Sequence, residues 1–417
     1  MINASAARGV DILPEEAAAF ARLVYFSGAV WYRMREGGSM KRHNRAFLTV
    51  GLPGIVLSAL FAVVLYGCGS NTTTTVAPDF LDRLNSMGVD KYIGLEPTLE
   101  TTQTIDGSTW EVYSYDPSSP ARCFNGSPYI VSLHRGDPQK VLLYLEGGGA
   151  CWDYTTCYSE KLAKSGANPA IPMGMLDPTN PANPFKNYSI IYASYCDASV
   201  WSGDNDVDFT GATETTYFHG LANLSAAVTL MKQDYINPST IVVAGSSAGG
   251  YGTFMGYFVT RTQYPFTTLN VINDSGVGLF NPQESSLFQH ILATWNLSRI
   301  IPSDCPKCSQ QMSYLADWAL DNDPDVNFGF FSYYNDMVIG SVFLQMSTAD
   351  FKSLLLSVTG AIHAAHPTHF ERFFVDGDIH TVLELPAYYT MQVSGTTISQ
   401  WTADMITDTA DWKDTLQ

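Results

Sequence analysis

The chain has 417 residues, of which 46% are hydrophobic and 13% aromatic, enough to bury a large core in one to three domains. Its formal net charge is −18 at pH 7, with no basic stripe and no heptad repeat. That balance argues against nucleic acid as a partner, because phosphate contacts need clustered Lys and Arg.

The N-terminal segment reads as an export signal. Met40-Lys41-Arg42 gives a basic start, the stretch from Ala46 to Gly67 is uncharged, and Cys68 follows Leu65, Tyr66 and Gly67. A basic n-region, an apolar h-region and a small residue before cysteine describe a bacterial lipoprotein signal over 40–67, with Cys68 as the lipidation candidate. The alternative is an uncleaved transmembrane anchor, since the stretch is long enough to span a bilayer. Translation is expected to start at Met40, with 1–39 as a non-translated or disordered extension. Residues 68–105 then form a tether, including the threonines 72–75, and a lead-in to a catalytic domain over 106–417.

From Trp110 onward strands and helices alternate. Apolar, β-branched or aromatic runs predict strands at 110–115, 129–133, 141–145, 190–193, 240–244, 269–272 and 328–333, with a weaker one at 373–375. Helical patterns cover 215–233, 248–261, 286–295, 310–320 and 349–364. Fully apolar strands between amphipathic helices imply an α/β fold with a mostly parallel central sheet and helices on both faces. The Pro- and Asn-rich segment 168–187 lacks periodicity and reads as a surface loop near the site.

Gly245-Ser246-Ser247-Ala248-Gly249 stands between the apolar run Ile241-Val242-Val243-Ala244 and the helix that begins at 248. Strand, Gly-x-Ser-x-Gly, helix is the context of a nucleophile elbow, which makes Ser247 the candidate nucleophile. A serine hydroxyl needs a base, a carboxylate to orient it, and donors for the developing oxyanion. His363, His366 and His369, spaced by three, read as a part-exposed helix face. His380 instead follows the strand end and glycine of Val375-Asp376-Gly377-Asp378-Ile379, so it is the candidate base. For the acid, Asp336 and Asp274 both end predicted strands at the carboxyl edge of the sheet, and spacing does not separate them. Leu145-Glu146-Gly147-Gly148-Gly149 is a strand that breaks into glycines. Their N–H groups can converge, so Gly148, Gly149 and Ala248 are the candidate oxyanion donors.

Beyond Cys68 six cysteines remain, an even number that favours disulfides in an exported protein, and Cys151 and Cys157 are spaced to close a short loop. Cys305-Pro-Lys-Cys308 has no second pair to complete a zinc site, and no metal or cofactor is expected.

The stretches Leu145–Gly149 with Cys151 and Cys157, Tyr195-Cys196-Asp197, Val200-Trp201-Ser202-Gly203-Asp204, Ala244–Gly250, Asp274-Ser275-Gly276, Ile301–Cys305 and the His380 loop resemble, in this order, the pectin acetylesterase and Notum family of serine carboxylesterases. The resemblance spans residues 110–390 and implies an α/β-hydrolase-like fold. It also implies Ser247 as nucleophile, His380 as base, and Asp336 rather than Asp274 as acid. Trp201 falls in a shared segment and is a candidate pocket wall, with a plain core aromatic as the alternative; Gly149 stands where many relatives carry Trp.

The implied activity is removal of an acyl group, expected to be acetyl, from an O-acylated glycan or small ester. The protein would be exported and held at a membrane through its N-terminal lipid or helix. The alternatives are a non-catalytic glycan-binding lipoprotein on a hydrolase scaffold, or a fatty-acyl esterase or serine peptidase of the same fold.

Overall fold

β-Branched and aromatic residues bounded by Pro, Gly and Asn fit a sheet buried on both faces, and the runs read above become its strands. The computed structural model of the chain describes residues 78–417. After a helix, Pro78–Ser86, come β1 (Thr98–Ile105), β2 (Ser108–Ser114), β3 (Ile130–His134), β4 (Asp137–Leu145) and β5 (Tyr188–Ala193). A short ribbon of β6 (Asn205–Val207) and β7 (Thr216–Phe218) leads to the helix Gly220–Asp234. Next are β8 (Thr240–Ser246), the helix Ala248–Gln263, β9 (Thr268–Asp274), the helices Ser285–Thr294 and Tyr314–Asn322, and β10 (Asn327–Tyr333). The helix Thr348–Ala365 precedes β11 (Phe370–Val375). The small pair β12 (Gln392–Val393) and β13 (Thr396–Thr397), the helix Ile398–Ile406 and β14 (Thr415–Leu416) close the chain.

Ten strands form one sheet in the order β1-β2-β3-β5-β4-β8-β9-β10-β11-β14. Pairing is parallel from β5 through β14 and antiparallel among β1, β2, β3 and β5. Alternate residues of β4 point to opposite cores. Val141, Leu143 and Leu145 join one apolar cluster with the helix Ala248–Gln263, while Leu142 and Tyr144 join another with the helix Ile398–Ile406. The expected fold class, a mostly parallel sheet covered by helices on both faces, is borne out.

The chain leaves β4 toward β5 and then crosses back to β8 on the other side of β4. This reversal opens a crevice at the carboxyl ends of β4 and β8, the place where open α/β sheets bind ligands. Leu145 pairs with Gly245 there. The loop after β4 and the turn after β8 therefore face each other.

Three local readings change. Residues 78–105 are part of the fold: Phe80 and Leu84 are buried and β1 pairs with β2. The helix expected from 215 starts at Gly220, because 216–218 pair with 205–207. The segment 168–187 is more than a surface loop, since Ala170, Met175, Leu176 and Phe185 are buried in the second core. The readings on residues 1–67 and on Cys68 lie outside the described residues. Among the described residues no helix is long and apolar enough to cross a membrane.

Candidate active site

Ser247 sits between β8 and the helix Ala248–Gln263 with φ 58° and ψ −120°. A non-glycine residue in this region is strained and persists only where its surroundings over-determine it. Here they do. Ser247 N–H donates to the Asp274 carbonyl at 2.8 Å, and a Cβ on Gly249 would stand 1.9 Å from the Leu145 carbonyl oxygen. The small residues of the motif let the turn pack directly on the end of β4.

The loop after β4 comes equally close. A Cβ on Gly147 would lie 2.9 Å from Ser247 Cβ, so this backbone runs against the serine. Gly149 has φ 77°, and a Cβ there would stand 1.9 Å from the Leu162 carbonyl oxygen. Gly149 and Ala248 line the same cavity as Ser247. Lys164 Nζ reaches both carboxylate oxygens of Glu146, at 2.6 and 2.7 Å, and Glu146 accepts the Tyr195 N–H at 2.8 Å, which fixes the root of the loop.

Asp336 follows β10 and is fully buried on its side chain. Its Oδ1 accepts the N–H groups of Val338 and Ile339, both at 3.0 Å, and its Oδ2 lies 2.8 Å from His380 Nδ1. His380 Nε2 is buried and has no hydrogen-bond partner, so a bond from Ser247 Oγ to that nitrogen is not formed here. Such contacts are often long outside the Michaelis complex and tighten in it.

A second carboxylate joins the histidine loop to the serine turn. Asp274, at the end of β9, is completely buried. Its Oδ2 accepts from Ser246 Oγ at 2.6 Å, Val382 N at 2.9 Å and Leu383 N at 3.0 Å. The neighbouring Ser275 hydroxyl accepts the Thr381 N–H at 3.2 Å. Burial pushes the Asp274 carboxyl above its ordinary range, opposed by the Leu383, Ser246 and Val382 hydrogen bonds and by His380. Reading the sequence for acids left Asp274 as an alternative partner of the histidine; in the structure it holds the backbone N–H groups of Val382 and Leu383, and Asp336 meets the imidazole. The one sequence signal was its place in Asp-Ser-Gly directly after a strand. Glu384, next along, is pushed up to about 8 by burial and by the charges of Glu146 and Asp274, with Lys164 opposing.

The cavity beside Ser247 measures about 70 Å³. Phe280, Leu287, Phe288, Ile291, Trp295 and Phe343 are among the residues that line it. Phe280 and Phe288 stack with centroids 3.7 Å apart. Asn281 Nδ2 donates to the Leu344 carbonyl at 3.0 Å and stitches the two wall segments together. Trp295 Nε1 donates to the Cys151 carbonyl at 2.9 Å, and Cys151 is bonded to Cys157. The expected short disulfide is present, together with Cys123–Cys196 and Cys305–Cys308.

The reading of Trp201 as a pocket wall is corrected. Its side chain is fully buried, donates to the Glu146 carbonyl at 3.1 Å and packs beneath Gly252, where a Cβ would stand 2.3 Å from its ring. Trp152 and Trp295 line the cavity instead. Trp152 lies between the motif cysteines 151 and 157 without being singled out there, and Trp295 comes from a segment with no motif.

Comparison with known proteins finds relatives over part of the chain. Pectin acetylesterase 11 of Arabidopsis thaliana is 24% identical over 202 residues, covering 44% of this chain and 51% of that protein. Pectin acetylesterase 4 of the same plant is 26% identical over 202 residues, covering 44% and 49%. The palmitoleoyl-protein carboxylesterase NOTUM of Schmidtea mediterranea is 27% identical over 159 residues, covering 35% and 29%. The chain thus spans about half the length of the plant relatives it matches, or less. The pectinacetylesterase family model matches residues 110–323, which hold the glycine loop, Ser247 and Asp274 but stop short of Asp336 and His380. With that match extending over half of its length, the chain belongs to the pectinacetylesterase family.

Proposed function

We propose that the protein is a serine carboxylesterase that works through an acyl-enzyme. His380 Nε2 takes the Ser247 hydroxyl proton as Oγ attacks the ester carbonyl. The oxyanion is held by the N–H groups of Gly148, Gly149 and Ala248. Asp336 keeps the imidazole oriented through Nδ1 and stabilises its charge. The proton then passes to the departing alkoxide, and His380 activates the water that returns Ser247 and releases the acid. The observation that carries this reading is a histidine whose Nδ1 is tied to a buried carboxylate and whose Nε2 is buried and unpaired. Its loop is fastened, through Asp274, to the turn that bears Ser247. No step calls for a metal or cofactor.

The cavity favours an apolar acyl group. The side chains of Phe280, Leu287, Phe288, Ile291 and Phe343 line it. An acyl chain longer than acetyl, on a glycan or a small alcohol, suits this wall. The second reading is acetate release from a glycan, favoured by the names of the plant relatives. Three disulfides among the described residues support a protein that works outside the reducing cytosol; the anchor is Cys68 lipid or the N-terminal apolar stretch.

Hydrolysis of p-nitrophenyl esters from acetate to palmitate, run beside acetate release from pectin and xylan, tests both readings. The expected result is a kcat/KM that rises to butyrate or hexanoate and falls again at palmitate. Acetate release from glycan with negligible turnover of the longer esters favours the second reading. No hydrolysis of any ester contradicts the proposal.

A further inference from the structure

Outside the motifs that mark the site, the sheet edge at β11 and β14 carries a cluster the esterase reading does not use. We propose that His363, Glu371 and Asp414 bind a divalent cation of the zinc class, which clamps the C-terminal strand to the sheet. One ligand atom from each of the three lies within 4.8 Å of the others. They come from three elements: the last turn of the helix Thr348–Ala365, β11, and the residue before β14.

Each side chain is set up for this role. His363 Nδ1 lies 2.7 Å from the Phe370 carbonyl oxygen, a contact it makes as an N–H donor. That leaves Nε2 with its lone pair free, the arrangement typical of a metal-bound histidine. Nε2 stands 3.6 Å from Asp414 Oδ2, close to the ligand–ligand spacing of about 3.4 Å in a tetrahedral shell with bonds near 2.1 Å.

Glu371 is only 3% exposed, and its Oε2 has no hydrogen-bond partner and lies 3.5 Å from His363 Nδ1, the nitrogen whose proton goes to Phe370. A buried carboxylate oxygen without a donor is costly unless a cation meets it. The nearby positive charge is committed elsewhere. Arg372 Nε lies 3.1 Å from both Asp414 oxygens and its backbone N–H is 2.9 Å from Oδ1, so the guanidinium is bonded to Asp414 and reaches Glu371 only through longer-range attraction. One imidazole and two carboxylates suit zinc or manganese; calcium needs six to eight oxygens. His363 and Asp414 are 25% and 21% exposed on their side chains, which gives a cation an entry path.

The test is calorimetric titration of the tag-free, chelator-stripped chain with zinc chloride, and separately with magnesium chloride, alongside thermal unfolding. The account predicts one zinc per chain, a raised Tm with zinc, and neither effect with magnesium. His363→Ala and Glu371→Gln each weaken zinc binding by more than the ~10–100-fold typical of losing an outer-shell partner, while ester hydrolysis is retained. Should Glu371→Gln fail to fold, as judged by circular dichroism, the part-exposed His363→Ala decides alone. Absence of saturable zinc binding in the wild type, or binding by the variants equal to wild type, overturns the proposal.

Discussion

Two loops meet at the carboxyl edge of the sheet, and they are held there by opposite means. Residues 147–149 approach Ser247 because they lack side chains: a Cβ on Gly149 would overlap the Leu162 carbonyl oxygen at 1.9 Å. Residues 381–383 are held by what they bond to, the buried carboxylate of Asp274, which accepts two of their N–H groups and the Ser246 hydroxyl. One loop is positioned by space and the other by a charge. The first should fail when any atom is added, and the second when the acceptor is removed, with partial recovery when an isosteric acceptor replaces it.

The largest expected effect tests the first half. Gly149→Ala and Gly149→Ser should lower kcat by about 10²–10³ alike, the cost of displacing an oxyanion donor, because any Cβ meets the same carbonyl. Steady-state kinetics on a p-nitrophenyl ester reads this, and near-normal turnover of the alanine variant removes the loop from the oxyanion site.

Next comes Asp274. Asp274→Ala orphans two backbone donors and a hydroxyl, at about 1–3 kcal/mol for each buried group left unpaired. It should lower both Tm and kcat, the latter by about 10–100-fold by the same reckoning. Asp274→Asn keeps one carbonyl oxygen toward Val382 and Leu383 and should recover much of kcat with little change in KM. Equal loss in both variants would mean that Asp274 acts by its charge and not as an acceptor for the loop.

The strands that build this edge were legible where chemistry forces a pattern. Ile241-Val242-Val243-Ala244 can only be a strand buried on both faces, and the small residues around Ser247 announce a tight turn before a helix. The edge strand β1, Thr-Leu-Glu-Thr-Thr-Gln-Thr-Ile, was missed because it is mostly exposed and its pairing with β2 is decided by backbone bonds rather than by apolar side chains. The helix Ile398–Ile406 was missed too, although Trp401 lies under Gly329 in the second core, because its partner is set by tertiary packing.

At the site, a strand ending in a glycine-bearing loop pointed to His380, and the structure sets its imidazole 2.8 Å from Asp336. The carboxylate beside it was not separable by spacing, since Asp274 ends β9 and Asp336 follows the neighbouring β10. The two differ only in what their oxygens face, which is a property of the fold. Trp201 misled for the same reason: a tryptophan in a motif carries no sign of whether its ring lines a cavity or fills the layer beneath one.

A smaller effect concerns the cavity wall. Ile291→Trp fills space beside Ser247 and should cut kcat/KM for hexanoate by about tenfold or more, the scale of lost or crowded methylenes in an apolar pocket, while acetate is little changed. An unaltered chain-length profile would move the acyl group elsewhere.

The smallest effect is on stability. Glu384 has its carboxyl raised to about 8, so the folded state holds a proton that the unfolded chain releases near 4.5. Its contribution is fully present below about pH 4.5 and is lost as pH rises through about 8. Glu384→Gln should flatten the fall of Tm across that window. An unchanged slope would show that Glu146, Asp274 and Lys164 carry the dependence without it.

The central claim is that Ser247 is an activated nucleophile served by His380. Labelling with a fluorophosphonate probe, followed by peptide mass mapping, tests it most directly. The account predicts one label per chain on Ser247, none on Ser247→Ala, and labelling slowed by about 10³-fold or more in His380→Ala. An unlabelled wild type, or a label that persists in Ser247→Ala, contradicts it.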